Sequence, residues 1–96
     1  MSGIEERKIT HHGIAFVIIG AVEDNDYDWS AEAILKRDSD GQLFWATDSG
    51  CSCYAFGDNL ELEPIYSIDE GLRKCAQLDR PKMESSIANG GEIEWR

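Results

Sequence analysis

The chain has 96 residues, the modal length of a single domain and too few for two independent cores. It carries 19 acidic against 9 basic residues, a formal charge of −10. That balance disfavours direct binding to phosphate backbones, which depends on Lys and Arg displacing counterions, and the longest apolar run, Ile14 to Ile19, is far short of the roughly 20 residues that cross a bilayer.

In chain order, residues 1–10 offer no strong pattern and are expected to be loosely ordered. They hold neither a basic start followed by an apolar stretch nor a small-residue cleavage site, so a cytoplasmic protein is expected. Ile14 to Val22 is β-branched and apolar on both alternating faces, the pattern of a central strand. Glu23-Asp24-Asn25-Asp26-Tyr27-Asp28 follows, with four carboxylates that belong in a solvated loop. Trp29 to Arg37 mixes helix formers with an alternation of Trp29, Ala31, Ala33 and Leu35. The turn signal Asp38-Ser39-Asp40-Gly41 and the strand formers Leu43 to Thr47 decide for a hairpin, with strands at Trp29–Arg37 and Gln42–Thr47.

Ser49-Gly50-Cys51-Ser52-Cys53 is a run of small residues suited to a tight loop, and an acidic stretch from Asp58 to Glu63 comes after it. Ser67-Ile68-Asp69-Glu70 fits a capping box, so a helix is predicted from Ile68 to about Leu78, ended by Pro81 and packing Ile68, Leu72, Cys75 and Leu78 on the sheet. Residues 82–96 read as a loosely ordered tail or a short edge strand around Ile93 and Trp95. The expected fold is α+β, a single domain over residues 1–96. It has a three-stranded antiparallel meander, extendable to four strands, packed against one C-terminal helix.

Two groups of residues carry candidate chemistry. Cys51 and Cys53, one residue apart, can ligate a soft metal or act in redox exchange, with Cys75 or the pair His11 and His12 to complete the ligands. Their spacing departs from paired zinc knuckles, and an odd number of thiols without an export signal predicts no disulfide. Asp24, Asp26 and Asp28 alternate as calcium-loop ligands do, but Trp29 stands where that loop needs Gly and Leu35 where it needs Glu. No nucleophile elbow, phosphate-cradling glycine loop or spaced carboxylate pair is present, so a non-enzymatic protein without a cofactor is expected. The favoured partner-binding residues are Glu23, Asp24, Asp26, Tyr27, Asp28 and Trp29, aromatics within an acidic rim.

The run Asp40-Gly41-Gln42-Leu43-Phe44-Trp45-Ala46-Thr47-Asp48-Ser49-Gly50-Cys51-Ser52-Cys53 resembles small uncharacterised proteins of actinobacterial phages and their hosts. Those proteins pair an Asp-Gly turn and an aromatic strand with an Asp-Ser-Gly-Cys-Ser-Cys segment. The likeness covers about the middle third of the chain, and Tyr54-Ala55-Phe56-Gly57 stands where that family has a proline-containing stretch. The resemblance implies a bacteriophage accessory protein in the cytoplasm of a bacterial host, acting by protein-protein interaction with a host protein. Mimicry of DNA against a nucleic-acid-binding partner is its specific version, and a metal or redox module on Cys51, Cys53 and Cys75 is the rival reading.

Overall fold

The computed structural model describes residues 7–24, 28–50 and 59–96. Five strands form an antiparallel meander in chain order: β1 (Arg7–His11), β2 (Ile14–Glu23), β3 (Trp29–Arg37), β4 (Leu43–Gly50) and β5 (Glu61–Ile65). Helices α1 (Ile68–Lys74) and α2 (Arg80–Ala88) follow, and β6 (Glu94–Trp95) returns to pair in parallel with the end of β2. The class is α+β, but the expected three- or four-stranded meander on one helix is corrected to a six-stranded sheet with two short helices.

Each correction has a local cause. β1 is an edge strand whose side chains stay mostly exposed, so Ile9 anchors it to the core and periodicity is faint. β5 reads as an acidic stretch, yet an edge strand tolerates Pro64 because one row of its backbone groups faces away from the sheet. Ser67 does cap α1, accepting a hydrogen bond from the Glu70 backbone N–H at 3.1 Å, while Glu70 reaches the Tyr66 N–H at 2.8 Å. The helix ends at Lys74 rather than near Leu78. Arg80 donates to the carbonyls of Leu72 and Cys75 at that end, and Ile68 and Leu78 are left exposed. Pro81 lies in the first turn of α2, where its missing N–H costs nothing, so the residue taken as a stop for one helix begins another. The stretch 82–96, expected as a loose tail or edge strand, supplies most of α2 and all of β6.

The sheet is buried on both faces over its central strands. The register of β2 against β3 shifts between Ile18 and Gly20, the mark of a bulge at Ile19. The shift puts Phe16, Ile18 and Ala21 on one face with Ala33, Leu35, Phe44 and Ala46. Ile19 and Val22 join Ile34, Trp45 and Ile65 on the other, beneath Leu72, Cys75, Met83 and Ile87 of the helical layer. Among the described residues no helix is long and apolar enough to cross a membrane.

Helix α2 lies directly on the bulge. A Cβ at Gly20 would stand 2.7 Å from Ile87 Cγ1, and one at Gly91, where φ is +89°, would collide with the Ile18 carbonyl oxygen. Between the end of β1 pairing at Ile18 and the start of β6 pairing at Val22, the Ala21 N–H has no strand partner among the described residues; it donates to Ser86 Oγ at 2.9 Å. Ser86, fully buried, donates its own proton to the Glu92 carbonyl. Gly91→Ala is expected to lower the unfolding free energy by roughly 3 kcal/mol or more, through backbone strain plus the collision. Gly20→Ala, whose neighbours are side chains, is expected to cost about 1–3 kcal/mol. Urea denaturation of the two variants checks the order, and a neutral Gly91→Ala contradicts this docking.

Candidate functional site

The meander brings the ends of β2 and β4 and the starts of β3 and β5 to one end of the sheet. Across it runs a row of register partners, Glu94, Val22, Glu32, Thr47 and Glu61, on the face that carries the helices. One residue further along, Glu23, Ala31 and Asp48 are partners on the opposite face. The acidic stretches on either side of the hairpin therefore converge: Glu23 ends β2 with Asp24 directly after it, and Glu61 begins β5. The other end of the strands holds Lys8, Lys36 and Arg37. There Arg37 forms a two-pronged pair with Asp40, which holds the Asp40 carboxyl down at about 2, and Lys8 lies 3.9 Å from Asp38.

At the acid end one guanidinium organises four elements. Arg96 donates to Asp79 through Nε at 2.9 Å and Nη2 at 2.8 Å, a bidentate pair. Its Nη1 donates to the Ser30 carbonyl at 2.9 Å and to Ser30 Oγ at 3.0 Å, and lies 3.0 Å from Asp24 Oδ1. Glu32 Oε1 is 3.7 Å from Nη2, and the Arg96 backbone N–H donates to the Glu23 carbonyl at 3.0 Å. Asp24 also accepts from the Ser30 N–H and Oγ, tying the end of β2 to the start of β3.

The carboxylates of this group are pushed in opposite directions. Hydrogen bonds from Arg96 hold the Asp79 and Asp24 carboxyls below their ordinary range, and the same bonds hold Arg96 charged. Glu32 is pushed up, first by burial and then by the neighbouring Asp79 carboxylate; its oxygens accept from the Ala76 N–H at 3.3 Å. On the opposite face Glu23 is pushed up by burial and then by the Asp48 charge, with Arg7 opposing. Beside the Arg96 group an open cleft of about 390 Å³ is lined by Glu32, Thr47, Asp48, Ser49, Glu61 and Arg96, among others. Hydroxyls, carboxylates and one guanidinium in its lining give it groups that can hydrogen-bond or pair with a ligand.

The residues singled out in the sequence are dispersed. Glu23 and Asp24 reach this end half-buried, and Asp28 is exposed beside it. Trp29 is only 7 % exposed, so its ring is part of the packed end of β3 rather than an aromatic held out to a partner. Asp26, Tyr27, Cys51 and Cys53 lie outside the described residues. Cys75 sits in the core beneath the helices, donating to the Gly71 carbonyl, with its thiol pushed up to about 12 by burial and the Glu32 charge. His11 and His12 are at the β1–β2 turn, His12 with φ of 52°. Cys75 packs near Val22, eight residues along β2 from Ile14, so roughly 26 Å of strand separates it from the histidines. Cys75 and the two histidines cannot share a metal. Among the described residues no group of three His, Cys, Asp or Glu side chains is arranged to hold one.

Glu32, Asp79 and Arg96 were not singled out as site residues in the sequence, and Glu61 was met there only within the acidic stretch from Asp58 to Glu63. The one available signal was Glu32: once Trp29–Arg37 is a strand, it shares a face with Ile34, and a carboxylate there needs a partner. No family model, curated protein or solved structure matches the chain.

Two experiments follow from these environments. A raised folded pKa makes the Glu32 contribution to stability greatest below its unfolded value of about 4.5 and lost as pH rises through the folded one. Asp24 and Asp79, with depressed values, contribute above about 3.8 and lose that contribution as pH falls through their folded values. Glu32→Gln, which keeps the acceptor for Ala76, is therefore expected to be at least as stable as wild type at neutral pH and to lose the decline above about pH 4.5. Arg96→Gln, which strands the carboxylates, is expected to cost about 2–4 kcal/mol at neutral pH and much less in acid. Denaturant midpoints across the pH range read both. Separately, peptide mapping after iodoacetamide treatment of the folded protein should find Cys75 alkylated at least about 100-fold more slowly than after denaturation.

Proposed function

We propose that this chain is a non-enzymatic, acidic accessory module of phage type that binds a host protein, presenting the acid end of its sheet to a surface rich in Lys and Arg. The observation that carries this reading is the convergence of the acidic residues from β2, β3, β4 and β5 at one end, beside an open polar cleft. A field of one sign gathered at one end steers a basic surface into register and accelerates encounter. The formal charge of −10 supports the same sense of attraction. The phage context rests on the resemblance of residues 40–53.

Mimicry of DNA, the narrower version, draws less support. It needs a row of exposed carboxylates to stand for phosphates, whereas Glu32, Asp48 and Asp79 are buried. Glu61 remains exposed at the cleft, and Asp28 is exposed at the same end of the sheet.

Capture from an actinobacterial lysate tests the proposal, using wild type and an Asp28→Lys/Glu61→Lys variant at about 50 mM and about 300 mM salt. A basic host protein is expected to be retained by wild type at low salt, and lost both at high salt and with the charge-reversed variant. A partner held equally by both proteins, or no partner at low salt, rejects the reading.

A further inference from the structure

We propose that Glu94–Arg96 is a displaceable internal ligand, and that the seat it occupies on β2 accepts an extended, arginine-bearing segment of a partner protein. The inference rests on the binding role proposed above and names the chemistry of the partner at that site.

The backbone hold on this segment is slight. β6 pairs only at Val22 and Glu23, with one further hydrogen bond from the Arg96 N–H to the Glu23 carbonyl. Burial adds little, since Trp95 is 49 % exposed and the apolar anchor of this stretch, Ile93, lies before β6. What fastens the segment is the Arg96 guanidinium, which joins Asp24, Glu32 and Asp79 from three different elements and forms one wall of the open cleft.

Such a seat has the features of a peptide site already filled. A strand edge on β2 offers main-chain hydrogen bonds to any extended segment, and the carboxylates fix which residue must follow. Departure of Arg96 strands Asp24 and Asp79, so exchange is favourable only for a segment that restores a cation in the same place. The two-pronged contact with Asp79 selects arginine over lysine, whose ammonium cannot fill a planar fork.

The test measures fluorescence anisotropy of a labelled five-residue peptide with the sequence of residues 92–96, titrated with wild type, Arg96→Ala and Arg96→Lys. Wild type, with its seat filled, is expected to bind weakly. Arg96→Ala is expected to bind at least tenfold more tightly, and Arg96→Lys to fall between them. The gain should vanish when the peptide carries Gln in place of its arginine, or when Asp79→Asn is added to Arg96→Ala. A folded Arg96→Ala that binds no more tightly than wild type, or that binds the Gln peptide equally well, overturns the proposal. Should Arg96→Ala unfold, Arg96→Lys decides: a gain of threefold or more supports displacement and no gain overturns it. If the peptide fails while wild type still captures a basic host protein in a salt-dependent way, displacement falls and the binding role stands. Peptide binding without any captured host protein supports the displaceable seat and rejects the host-binding role.

Discussion

Helix α2 can lie on the sheet only because β2 is irregular beneath it. A bulge at Ile19, a bare backbone at Gly20 and a left-handed turn at Gly91 let the helix approach until Met83 and Ile87 touch main chain. Ser86 then supplies the hydrogen bond that the gap between β1 and β6 withholds from Ala21. The same docking sets Asp79, at the start of α2, above Glu32, and aims the chain after Gly91 back along β2 so that Arg96 arrives at Asp79. A regular strand would place these residues on other faces, since one residue of slip inverts every side chain that follows.

Electrostatics at the acid end depend on that geometry. Three carboxylates within reach of one another are unfavourable unless a cation lies among them, and the pair formed by Glu32 and Asp79 answers by splitting: one carboxyl rises, the other falls. Arg96 suits the place because its fork meets Asp79 with two bonds and still leaves Nη1 for Ser30 and Asp24. Elsewhere ion pairs are simpler. Lys74 joins Glu63 across α1 and β5 and lies over the Trp45 ring, and Arg37 closes the hairpin turn with Asp40, both in exposed settings that add little.

Much of the fold was legible where a local pattern stood alone. The apolar run of β2, the Asp-Gly turn and the Ser67 cap each carry their meaning within a few residues, and the strand at Trp29–Arg37 followed from its neighbours. The edge strands were not legible, because a strand with one anchored side chain, such as Ile9 in β1, lacks an alternation to detect. Helix α2 was hidden for another reason: it has no wholly apolar stripe, and its contacts include a serine hydroxyl and a glycine surface whose value appears only once β2 lies beneath. The acid end was half legible. Its charge could be counted, but the meeting of Glu32, Asp79 and Arg96 depends on pairing between distant parts of the chain.

That distance has an entropic side. β1 to β4 follow one another along the chain and can zip together from neighbouring residues, whereas the Arg96–Ser30 contact closes 66 residues of chain and the Ala21–Ser86 bond closes 65. Closing loops over such spans costs more chain entropy than closing the local hairpins. The protein thus joins strands that pair between chain neighbours to a carboxylate end closed by contacts between distant parts of the chain.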